Sequence, residues 1–218
     1  HWYVTKKYGE TENQSEWLVD GLPNFLWNKY VQEQYPNLPM TGALRDLPII
    51  NNYHFAQAPY HRSWELSTNV STNKNRGQAL TIAKNKLTRY NRRIANPSRA
   101  ALALMYLDYY IGGDTLSNTL KTIPKGSLSN TSLKKELAQK TDKPLDWFFD
   151  HYIHLDNNVD LKIQGKKLNS GISRIQISST QSEIAIPIKK ILTSGAQQTD
   201  WILTDDLPFQ QDLSLIHI

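Results

Sequence analysis

Residues 1–30, HWYVTKKYGETENQSEWLVDGLPNFLWNKY, decide how the rest of the chain is read. Leu18, Leu22, Phe25, Leu26, Lys29 and Tyr30 follow a helical stripe, which predicts a helix over residues 16–35 that Pro36 stops. Pro23 has no amide hydrogen, so the regular part is expected to begin late or to bend there. Asp20 stands before Gly21 in this helix, and eighteen residues separate it from His1. Taken singly, an Asp before Gly caps a helix or turn more often than it binds a metal, and a lone His is no ligand set.

Working outward, the chain from Pro36 to about Asn75 shows neither period and is punctuated by Pro36, Pro39, Pro48 and Pro59. A loop of that length is expected to be functional or to wrap the surface. His54, His61, Tyr53, Tyr60 and Trp64 lie in it, either lining a cleft or simply packing, and the seven-residue His spacing matches no common ligand pattern. Leu80, Ala83, Leu87, Tyr90 and Ile94 allow a helix over 76–95 that Asn96-Pro97 breaks. Residues 98–111 are apolar nearly all round, which predicts a buried helix closed by Gly112-Gly113.

Residues 131–140 form a short amphipathic pattern. A further helix is expected over 141–154, with Thr141 or Asp142 as N-cap, Pro144 in the first turn and Leu145, Phe148, Phe149 and Tyr152 facing a core. His151 and His154 are spaced i, i+3, which suits either a metal or a solvated pair at a helix C-terminus. Beyond Asp156 the period changes to two: Val159, Leu161 and Ile163, then Ile175 and Ile177, then Ile184, Ile186 and Ile188. Turns are expected at residues 169–171 and 180–182. The fold class is therefore mainly α, over residues 1–156, followed by a small antiparallel β module over 157–206.

Composition sets the bounds. The 218 residues are 39% hydrophobic and 21% charged, ordinary for a globular protein, and no apolar run is long enough for a membrane span. No Cys is present, so any metal would rest on His and carboxylate. The net charge is +5 and the pI about 9.2. Lys84, Lys86, Arg89, Arg92, Arg93 and Arg99 gather most of the excess, but no nucleic-acid reader motif accompanies them, and a nucleic-acid partner is not expected.

Three segments carry a family resemblance. His1, eighteen residues, then Asp20 within WLVDG is similar to the spacing from the second zinc histidine to the acidic ligand of the WLxEG motif in gluzincins of the aminopeptidase-N-like family. Residues 98–116, SRAALALMYLDYYIGGDTL, resemble the segment that follows the family's catalytic tyrosine, and LDWFFDHYI resembles the end of its helical part. The resemblance covers about residues 1 to 205 by order of features. It implies the helical C-terminal half of a thermolysin-like catalytic domain and the start of a β module.

It further implies zinc as cofactor, His1 and Asp20 as two of its protein ligands, and peptide as substrate. The general-base Glu is then expected upstream of His1, so that no catalytic residue lies in the chain itself and the isolated chain is expected to be inactive. Zinc in such a site lowers the pKa of its water and polarises the scissile carbonyl. Two departures count against activity: Asp20 is one methylene shorter than Glu, and no Tyr stands at Asn96-Pro97-Ser98. Tyr90 or Tyr106 would have to serve instead, or the protein is a degenerate relative with a binding or scaffold role.

A periplasmic or exported location also follows from the resemblance alone. Residues 213–218, LSLIHI, read like the translation of a sequencing adapter, and His217 with them; with the abrupt His1 this suggests an environmental gene fragment truncated at both ends.

Overall fold

The computed structural model describes residues 15–42, 58–74, 76–124, 126–156, 159–167, 172–179, 183–191, 195–204 and 209–214. It is mainly α followed by small antiparallel sheets, as the change of period predicts. The chain divides into two compact units, His1–Pro144 with Ile153–Asn157, and Leu145–Tyr152 with Asn158–Ile218.

In the first unit, helix α1 spans Glu16–Gln34. It buries Trp17, Leu18, Gly21, Leu22, Phe25, Asn28 and Val31, so the stripe turns one residue away from the expected Tyr30, which is 46% exposed. The helix is regular from Glu16 and runs through Pro23 rather than starting after it. Its first turn is fastened to a distant segment: Trp17 Nε1 donates to Asn130 Oδ1 at 2.9 Å, and Ser15 Oγ accepts from the Asn130 amide at 3.0 Å. Full burial of Leu18, Leu22 and Phe25 contributes about 1.5–3 kcal/mol each.

Part of the stretch expected to be irregular is helical. Helix α2, Arg62–Thr72, buries Trp64, Thr68 and Ser71. Two of those three are hydroxyl residues, so no apolar period announces the helix. Thr68 Oγ1 donates back to Trp64 O at 2.9 Å, and Ser71 Oγ donates to Asn91 Oδ1 at 2.6 Å. His54 and Tyr53 fall outside the described residues, whereas Tyr60 packs edge-on against Trp64 at 5.9 Å.

The expected helix over 76–95 forms only at its end. A 3-10 turn covers Lys84–Lys86, and a continuous helical run starts at Arg89, passes through a π turn at Asn91–Ala95, and becomes α3, Asn96–Ile111. Asn96-Pro97 therefore does not break the chain. A proline in a helix interior removes one hydrogen bond and clashes with the carbonyl four residues back. The wider π turn before it supplies the room. Tyr90 and Ile94 consequently face outward, at 37% and 45% exposure. Downstream, Ala100, Ala101, Ala103, Leu104 and Leu107 are fully buried, and Gly112 and Gly113, with φ of 79° and 61°, end the helix.

Helix α1 packs on α3 more extensively than any other described pair of helices. The approach is set by Gly21: a Cβ there would lie 2.5 Å from Ala100 Cβ and 2.8 Å from the Ala100 carbonyl carbon. Only a residue without a side chain fits. Helices α4, Thr115–Thr122, and α5, Asn130–Ala138, complete the unit, and a capping box at Ser129 and Ser132 starts α5.

In the second unit, Asp146 opens a helical segment that passes at once into a π turn, Trp147–His151. Neither Thr141 nor Asp142 is its N-cap, because Lys143 and Pro144 intervene; Thr141 Oγ1 instead accepts from the Lys143 amide at 3.3 Å. Three successive aromatics of this turn, Trp147, Phe148 and Phe149, are all buried.

Strands β1 (Leu161–Lys167), β2 (Ile172–Ser179) and β5 (Phe209–Ser214) form one antiparallel sheet in the order β1-β2-β5. Strands β3 (Ala185–Ile191) and β4 (Gln197–Leu203) form a separate hairpin. Thr204 closes that hairpin, exchanging two 2.8 Å hydrogen bonds with Ile184. Strand β5 lies past residue 206 and includes Leu213 and Ser214, paired with Ser173 and Ile172. Residues 215–218 and both expected turns lie outside the described residues.

Candidate functional site

Asp20 lies one turn into α1, on the edge of its buried stripe, with 17% of its side chain exposed. Glu16 stands four residues before it, so the two carboxylates share a face. Both meet the 3-10 turn at Lys84: the Lys84 amide donates to Glu16 Oε2 at 2.6 Å, and Lys84 Nζ donates to Asp20 Oδ1 at 2.8 Å. One lysine thus links α1 to a segment 64 residues away in sequence. Gly21 positions this face, because the close approach to Ala100 fixes the rotation of α1 about its axis.

The expected zinc partner of Asp20, His1, lies outside the described residues. Among the described residues no group of three His, Asp or Glu side chains is placed to hold a metal. Asp20 is there a single donor with an ammonium on one oxygen, and a zinc site does not fit within the described residues alone.

Of the two tyrosines named for the hydroxyl that the family resemblance requires, Tyr90 reaches across to α2. Its OH donates to Ser67 O at 3.0 Å, on α2. Ser98 is buried in the first turn of α3, and Tyr106 is half-buried two turns further along.

The described histidines, His61, His151 and His154, have partners of their own. His61 Nε2 lies 3.7 Å from Glu65 Oε1, His154 Nδ1 lies 3.1 Å from Thr81 Oγ1, and His151 Nε2 pairs with Glu183 Oε2. Glu183 adopts a φ of 58°, a left-handed conformation uncommon for a residue with a side chain.

A second charged group lies further along α1. Lys29 Nζ donates to Asp108 Oδ2 at 2.9 Å and approaches Asp114 at 3.8 Å. Burial raises the Asp108 pKa from its usual value, against the opposing pull of Lys29. Asp108 Oδ1 and Asn28 Oδ1 are both buried with no hydrogen-bond partner among the described residues. The sequence stripe pointed at Lys29 but not at Asn28, whose polarity hid it among the buried positions. Comparison of the chain with family models, curated proteins and solved structures finds no match.

Proposed function

We propose that the chain is part of a zinc-dependent metallopeptidase that hydrolyses peptide bonds, with Asp20 as its acidic zinc ligand and His1 as a second. The observation that carries this reading is the placement of Asp20 in WLVDG: a carboxylate on a regular helix, beside a glycine that locks that helix against α3. The lysine on Asp20 is no energetic obstacle. With Lys84 46% exposed, the pair is worth about 0–1 kcal/mol, whereas complete zinc sites bind with about 10–16 kcal/mol.

A specific observation also favours a second reading. An ammonium already neutralises Asp20, and the Tyr90 hydroxyl is committed to α2. Both fit a protein that keeps a peptidase-like fold for binding or scaffolding without cleavage.

Sequencing outward from His1 separates the two. The peptidase reading requires His four residues and Glu three residues before it. If both are present, the full gene product is expected to hold one zinc per chain and to hydrolyse aminoacyl or peptide substrates, and Asp20→Ala to lose the metal. Retention of stoichiometric zinc by Asp20→Ala, or a missing His or Glu, refutes the peptidase reading in favour of the scaffold.

A further inference from the structure

From Leu66 to Leu107 the chain contains eight Lys and Arg and no Asp or Glu. The net charge of the whole is only +5, so the remainder is net acidic and the positive charge is segregated. Two of the eight have internal duties: Lys84 holds Glu16 and Asp20, and Arg99 donates to the carbonyls of Gln78, Leu155 and Asp156. The other six, Lys74, Arg76, Lys86, Arg89, Arg92 and Arg93, are exposed and form no ion pair with any described residue. Exposed cations that meet no acid among the described residues give this surface a positive field, which attracts an external polyanion.

Exposed aliphatic side chains lie beside them. Tyr90 crosses to α2, where its hydroxyl donates to Ser67 O. Leu66 and Val70 flank Ser67 on one stripe of α2 and are 54% and 45% exposed. Ile94, one turn on from Tyr90, is 45% exposed. Arg92, Arg93 and Ile94 of the π turn, and Arg89 just before it, are all exposed, while Asn91 and Ala95 are buried.

We infer that this face, Leu66, Val70, Tyr90 and Ile94 ringed by Arg89, Arg92 and Arg93, docks on the surface of an anionic phospholipid bilayer. Charge complementarity selects a polyanion, and the aliphatics select lipid. Single-stranded nucleic acid is gripped by stacking bases on aromatic rings. Here the exposed apolar groups are mostly branched alkyl chains, and the single ring is held down by its hydroxyl. Alkyl side chains next to arginines instead suit the boundary between headgroups and acyl chains. The docking is peripheral: among the described residues no helix is long and apolar enough to cross a membrane. It does not depend on zinc or on peptidase activity.

The test is co-sedimentation of the full 218-residue chain with vesicles of phosphatidylcholine alone and of phosphatidylcholine mixed equally with phosphatidylserine. Binding is expected to the mixed vesicles only, and to collapse in molar salt, where the screening length falls to about 3 Å. Each basic residue near such a surface contributes roughly fivefold to partitioning, so Arg89→Gln/Arg92→Gln/Arg93→Gln is expected to weaken it on the order of 100-fold. Val70→Ser/Ile94→Ser is expected to weaken it several-fold with the salt dependence unchanged. All five positions are exposed, and circular-dichroism melting checks that the variants fold. Failure of the wild-type chain to bind mixed vesicles overturns the inference. So does wild-type binding by the triple variant, or salt-sensitive binding of DNA or of an acidic protein in place of vesicles.

Discussion

Replacing Gly21 by alanine tests the helix crossing on which the candidate site rests. The new Cβ would stand 2.5 Å from Ala100 Cβ, 2.8 Å from the Ala100 carbonyl carbon and 3.1 Å from the Ala101 amide nitrogen. Carbon atoms pack comfortably at about 3.5–4.0 Å, so α1 and α3 must separate by roughly 1 Å. Two of the three obstructing atoms belong to backbone and cannot rotate away. Overpacking of this kind costs about 1–3 kcal/mol. With two backbone atoms in the way the cost falls in the upper part of that range, about 2–3 kcal/mol, and alanine recovers about 1 kcal/mol through its better helix propensity, which leaves a net loss of about 1–2 kcal/mol.

In urea the midpoint of unfolding is expected to fall with the slope unchanged. In a thermal scan a loss of that size corresponds to roughly 2–8 °C for a chain of this length. Ala100→Gly itself costs about 1 kcal/mol in helix propensity, but it removes the nearest atom, so the double variant should lose less than the sum of the two single variants. A variant Gly21→Ala as stable as the wild type, or more so, would refute the close crossing and with it the stated reason for glycine after Asp20.

Three other outcomes follow from the same fold. Asn91 is buried, donating at 2.7 Å to both Arg76 O and Gln78 Oε1 and accepting from Ser71 at 2.6 Å; Asn91→Ala strands these partners and is expected to cost about 2 kcal/mol in denaturant titration. Ser129→Ala removes the capping box of α5 and should cost about 1 kcal/mol by the same measurement. Because burial raises the Asp108 pKa, the folded chain holds that proton more tightly than the unfolded chain. Its contribution to stability is then present below the unfolded value of about 3.9 and is lost as pH rises through the folded value. Asp108→Asn should flatten that decline in thermal scans across pH, and an unchanged profile would count against the burial of this carboxyl.

What the sequence discloses and what it hides divides along physical lines. Leu18, Leu22 and Phe25 announce α1 because apolar side chains repeat at the helical period and are buried. The strands announce themselves by alternation, yet burial follows it only loosely: Ala185 is buried between Ile184 and Ile186, and Leu161 and Ile163 are exposed. Helix α2 is silent because its inward positions include Thr68 and Ser71, whose hydrogen bonds, not their hydropathy, keep them inside. Pro97 misleads because the rule that proline breaks helices assumes an α-helical turn before it, and here that turn is wider.

The site is legible only in part. WLVDG marks Asp20 and Gly21, and the structure explains the glycine through Ala100. The pairing of Asp20 with Lys84 spans 64 residues of chain and leaves no local pattern to find.

The widened turn at Asn91–Ala95 has a further effect on the chain's geometry. A π turn holds one residue more than an α turn, and each residue advances an α-helix by about 100°. Residues 89–94 are therefore out of phase with residues 96–111: continued at α pitch, the stripe that seats Ala100, Leu104 and Leu107 would emerge upstream about 100° away from where Asn91 and Ala95 now sit. The helix acts as two gears cut on one shaft with an offset between them. Its downstream teeth mesh with both α1 and α2, and its upstream teeth reach α2 as well, through Asn91, while the arginines stay exposed. One continuous rod thereby presents two differently phased faces to the elements packed on it.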